Sequence, residues 1–164
     1  MFNFLPVIGL VAPILLYLVF FFTNSVGFSA IGLSNDNLLT GVVIFTIIVW
    51  IWSAVYARSA NKFLSKRDKG DFKKAFGVSG VTESLQIFIW LFVNSMFGSN
   101  NLFVTGFIIV FIMYVGGNAF RLWLTKMTFD LKTGESVNAN KVVFFLETLI
   151  YVPFLTYLGW LATL

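Results

Sequence analysis

The chain contains no cysteine and no histidine, and only 11% of its 164 residues are charged. Without cysteine it has no disulfide, no thiolate nucleophile and no cysteine-ligated zinc or iron–sulfur centre. Without histidine it lacks the side chain most often used as a general base near neutral pH. Proline is scarce, at three residues. A soluble domain carries about a quarter charged residues, so this composition does not encode an apolar core wrapped in a charged surface. No P-loop, Rossmann glycine pattern, HExxH, GxSxG or EF-hand loop occurs, and no internal repeat is visible. No cofactor and no metal are expected.

The chain is instead 59% hydrophobic and 19% aromatic, with mean hydropathy +0.90. Five apolar segments stand out, at residues 2–23, 38–57, 82–97, 102–126 and 142–164. Crossing a bilayer as a helix takes about 20 residues. The third segment is short on that count. It reaches spanning length if residues 76–80 or the turn at 98–101 sits at membrane depth; the alternative is a tilted or re-entrant segment. The first segment has no basic flank and exceeds the roughly 7–15 residues of a signal-peptide core, so it reads as a retained span. Pro13 inside it predicts a bend. The expected fold is all-α: one domain over residues 1–164, an integral membrane bundle of five transmembrane helices.

Charge placement gives a direction. Arg58, Lys62, Lys66, Arg67, Lys69, Lys73 and Lys74 lie between the second and third segments. Arg121, Lys126, Lys132 and Lys141 lie at or between the ends of the fourth and fifth. These are all eleven basic residues. Five spans put every one on the same side, whereas four spans would split them. The positive-inside rule then predicts a cytoplasmic N-terminus and a C-terminus on the opposite side. The membrane would be a bacterial or archaeal cytoplasmic membrane, or that of an organelle.

The basic stretch 58–81 has two readings. Ala60, Phe63 and Leu64, then Phe72, Ala75 and Phe76, recur at roughly helical spacing among Lys62, Lys66, Arg67, Lys69, Lys73 and Lys74. That suits an amphipathic helix on an anionic leaflet or a docking surface for an acidic partner. It equally suits an ordinary cytoplasmic loop. Nucleic-acid binding is not expected, because topology accounts for the net charge of +4. The SNDN tetrapeptide at 34–37 and the TGE at 133–135 read as turns.

Polar groups inside spans are costly and therefore informative. Glu147 lies about six residues beyond Lys141, or roughly 9 Å along a helix. Arg121 precedes Lys126 by a similar distance on the preceding span. Asn118 is one turn from Arg121 on the same face, and Gly116 and Gly117 leave room for a close neighbour. An ion pair between Arg121 and Glu147, supported by Asn118, is the expected way to keep both charges in a low-dielectric layer. Either it clamps two helices or it handles a proton, an ion or a polar substrate group. Tyr151 and Asn94 are neutral candidates for lining such a path. Glu83 reads as a first-turn residue favoured by the helix dipole, with a site role as the alternative.

The stretch ESLQIF at 83–88, following the basic loop, is loosely similar to the Glu-containing span of the membrane-associated eicosanoid and glutathione metabolism family. That family pairs its Glu with an upstream Asn and Arg. Here Gly80 stands at the Asn position and no suitable Arg precedes it, so no catalytic residue carries over. The expected function is a non-catalytic accessory or structural subunit of a larger membrane complex. Its partners would be the lipid bilayer and other membrane subunits or further copies of itself. The alternatives are a small oligomeric transporter or channel with Glu147, Arg121 and Asn118 at its polar centre, and, from the resemblance, a membrane-embedded lipid- or glutathione-type transferase.

Overall fold

The computed structural model describes residues 3–24, 38–67, 70–97, 106–107 and 110–161. Among these, every element is helical: α1 (Leu5–Asn24), α2 (Leu38–Leu64), α3 (Phe72–Phe97), α4 (Gly117–Phe129) and α5 (Thr133–Leu161). A single 3₁₀ turn, Ser65–Arg67, closes α2, and a π-helical stretch, Phe111–Gly116, leads into α4. Among the described residues, four helices are long and apolar enough to cross a membrane, through Leu5–Phe22, Leu38–Leu64, Phe72–Val93 and Thr133–Tyr157. That is consistent with a multi-pass membrane protein. Residues 102–105 and 108–109 of the fourth predicted segment lie outside the described residues, as does the SNDN turn.

The basic stretch 58–81 is not a loop over most of its length. Helix α2 runs on through Leu64 and α3 begins at Phe72. The reason is packing. Ala60, Leu64 and Ala75 are fully buried, and they join Leu5, Tyr56, Leu124, Phe129, Ala139 and Val143 in one core at this end of the bundle. The helically spaced apolar residues therefore face neighbouring helices, with Phe72 half exposed, rather than a lipid leaflet as one block. Arg58, Lys62, Lys66 and Lys73 point outward.

That core also fixes the helix directions. It draws on the starts of α1, α3 and α5 and on the ends of α2 and α4. So α1, α3 and α5 leave this end, and α2 and α4 return to it. The tight return from α4 is made by Asp130, at φ 50° and ψ 57°, a left-handed position that Asp tolerates better than most residues. TGE at 133–135 is the first turn of α5 and not a free turn. The Glu135 carboxylate accepts from the Lys132 backbone N–H at 2.8 Å, satisfying an amide at the helix start.

Helices α1 and α3 touch backbone to backbone. A Cβ on Gly9 would lie 2.6 Å from the Gly77 Cα, and one on Gly77 would strike the Leu5 carbonyl. Gly80 in turn faces the Gly9 carbonyl. Small residues one turn apart allow this approach, which gains van der Waals contact where lipid supplies no hydrophobic drive. Pro13 is accommodated inside α1 and Pro153 inside α5.

Candidate functional site: a buried Glu–Arg–Glu cluster

Because α3 starts at Phe72, Glu83 sits in its middle turns and not at its first turn. Short-range reading placed it at a helix end because Thr82 looked like the start of the apolar run. The α1 contact extends α3 backward, since Gly77 and Gly80 are needed inside the helix to meet Gly9. Glu83 is thereby carried to the level of Arg121.

Arg121 is completely buried, at 0% exposure. Its Nη2 donates to Glu83 Oε1 on α3 and to Glu147 Oε1 on α5, the latter at 2.5 Å. Its Nη1 donates to Asn118 Oδ1 at 3.2 Å. Asn118 then spends both amide hydrogens, on Glu147 Oε2 at 2.5 Å and on the Tyr114 carbonyl at 2.7 Å. The expected Arg121–Glu147–Asn118 contact is present, and Glu83 joins it from a third helix. Among the described residues Arg121 Nε has no hydrogen-bond partner, and neither does the buried amide of Gln86. Gln86 packs against Gly117, where a Cβ would collide with it. The glycine there admits a side chain and not a neighbouring backbone. Gly116 faces open space.

The π-helical turn before α4 places an inserted residue just ahead of Asn118. Such turns break the i→i+4 spacing. Tyr114 lies in it, with its carbonyl against Asn118 and its hydroxyl 2.7 Å from Thr148 Oγ1 on α5. Thr148 already gives its hydrogen to the Phe144 carbonyl, so Tyr114 is the donor. The Tyr114 ring meets Tyr151 edge-on at 5.7 Å.

A polar ladder, not anticipated from the sequence, runs from the cluster toward the basic end. Tyr56 on α2 has its ring 6.0 Å from the Arg121 guanidinium carbon. Its hydroxyl lies 2.6 Å from Thr125 Oγ1, which donates to the Arg121 carbonyl. Asn140 on α5 donates to the same Thr125 oxygen, and Ser136 to the Leu122 carbonyl. The only sequence signal was Thr125 and Asn140 near span ends, where polar residues are common anyway.

Beside the cluster lies a groove of about 300 Å³ between α2, α3, the π-helical stretch and α5. Glu83, Glu147, Trp52 and Tyr151 form its polar and aromatic part. Tyr151 thus lies at the site, whereas the side chain of Asn94 falls outside what is described. Lys62, Lys66, Lys73 and Lys74 are remote, on the basic end; the side chains of Arg67 and Lys69 lie outside the described set. No group of three or more potential metal-ligating side chains occurs among the described residues. No protein-family model matches the chain, and no curated protein or solved structure is significantly similar to it.

Proposed function

We propose that the protein is a five-span membrane protein with its basic end in the cytoplasm, serving as a non-catalytic structural subunit of a larger membrane assembly. The span added to the four long apolar helices, fourth in chain order, is the stretch through the π-helical turn and α4. The carrying observation is how the intramembrane charge is used. Arg121 is fully buried and bonded to carboxylates from two other helices. One guanidinium thereby staples α3, α4 and α5, and Asn118 completes the network from within α4. Polar groups spent on one another hold register and leave little free for chemistry. The outer part of α5 supports neighbours: Val152, Phe154, Tyr157 and Trp160 are all about half exposed. Native mass spectrometry of gently solubilised membranes tests this. A stable complex with larger subunits supports it, and a solitary, well-behaved monomer in every mild detergent refutes it.

A second reading, a small carrier or channel, draws on a different observation. Both carboxylates line an open groove, which a pure clamp does not require. In that case Glu147→Gln abolishes flux in liposomes while the protein stays folded. Normal flux in that variant removes this reading. A transferase role rests on the six-residue resemblance alone.

A further inference from the structure

The groove beside the cluster has a chemistry of its own. Its flanks include Ile48, Ile51 and Ile150, which are 53%, 61% and 55% exposed and face outward from the bundle. A ligand therefore enters from the hydrocarbon layer and not from water. The inner end is different. Glu83 and Glu147 meet there, with Trp52 and Tyr151 beside them.

Charge counting sets the sign of the ligand. Two carboxylates share one guanidinium. With both carboxyls ionised the cluster is short of one positive charge, which a proton on one of them or a bound cation supplies; no other Lys or Arg of the described residues contacts it. The basic side chains of α2 and the start of α3 lie at the far end, exposed. In a low-dielectric layer an unbalanced charge is strongly disfavoured. A monocation arriving through the groove restores balance by taking the place of that proton. Indole and phenol rings add attraction, because their faces favour ammonium groups. The apolar flanks suit a hydrocarbon chain, and the volume suits a small head with part of that chain. A divalent metal is a poor fit, since it demands several oxygen ligands and the groove offers two carboxylates among mainly apolar side chains.

We propose that this lateral groove binds an alkylammonium head drawn from the bilayer, with Glu147 and Glu83 as charge partners and Trp52 and Tyr151 as aromatic faces. The site rests on the groove and its charge count, and holds whether the protein is a subunit or a carrier. The ammonium belongs either to a free lipophilic amine or to a choline-headed lipid.

The test is calorimetric titration of hexyltrimethylammonium into the full-length protein in nanodiscs of an uncharged, sugar-headed lipid. Saturable binding of one probe per chain is expected, not displaced by hexanol and not reproduced by hexanoate. Glu147→Gln removes the surplus charge and weakens binding roughly tenfold or more. Tyr151→Leu, outside the ion cluster, weakens it several-fold. Equal binding of hexanol, no saturable binding, or unchanged affinity in a folded Glu147→Gln protein overturns the proposal. If both variants fail to fold, the three wild-type titrations decide alone. Repeating the titration in phosphatidylcholine discs identifies the source. Lost probe binding there means that the choline lipid occupies the groove, and unchanged binding points to a free amine; both keep the ammonium site.

Discussion

Replacing Arg121 by glutamine and Glu147 by glutamine, separately, should have very unequal effects on stability. In the intact protein one buried guanidinium faces two carboxylates. Arg121→Gln removes the one cation that contacts the cluster among the described residues and leaves Glu83 and Glu147 together at the same point. Breaking a buried ion pair from one side costs about 3–5 kcal/mol, because the remaining charge is uncompensated. At about 2–4 °C per kcal/mol for a chain of this size, the midpoint should fall by roughly 6–20 °C. Glu147→Gln instead leaves Arg121 with Glu83, one charge of each sign, and the amide oxygen still accepts a hydrogen bond. That loss should be about 1 kcal/mol, or roughly 2–4 °C. Neither change should depend much on ionic strength, since buried pairs are poorly screened. The assay is heating in mild non-ionic detergent followed by size-exclusion chromatography with fluorescence detection. Equal losses for the two variants, or an Arg121→Gln protein within about 1 kcal/mol of wild type, would refute the charge count.

Other expectations follow from separate contacts. Gly77→Ala should destabilise by about 1–3 kcal/mol, because its Cβ meets the backbone of α1, whereas Gly116→Ala, facing open space, should change the midpoint little; a silent Gly77→Ala would contradict the α1–α3 contact. Tyr56→Phe should cost about 1 kcal/mol through the lost bond to Thr125, and Thr125→Val more, since it serves Tyr56 and Asn140 together; thermal midpoints of both variants check the order. The native chain has no cysteine, so single cysteines at Lys62, Lys141 and Ser29 map topology cleanly. Impermeant maleimide should reach the first two from the cytoplasmic side and Ser29 from the other, and labelling of Lys62 and Lys141 from opposite sides would break the proposed orientation.

Much of the site was legible before any tertiary structure. The expectation that five spans put all basic residues on one side gave the last segment an expected direction, and with it Glu147 an expected depth. Arg121 and Asn118 then matched it in depth, and the structure pairs them. Glu83 was harder. Its role depends on where α3 begins, and Gly77 and Gly80 look like helix breakers until α1 is packed against them. Ala60, Leu64 and Ala75 posed a similar problem, since their spacing fits a leaflet-bound helix as well as a buried one.

The sequence by itself determined an apolar, helix-forming, cysteine- and histidine-free chain with few charges. Composition and local hydropathy are sums over neighbouring residues, so they need no partner to be read. Tertiary structure decided what each helix faces. It turned a two-residue pair into a three-helix cluster with one carboxylate in excess, and it set a groove against that excess. Such facts depend on the rotation of each helix about its axis, which is settled by packing between segments far apart in the chain.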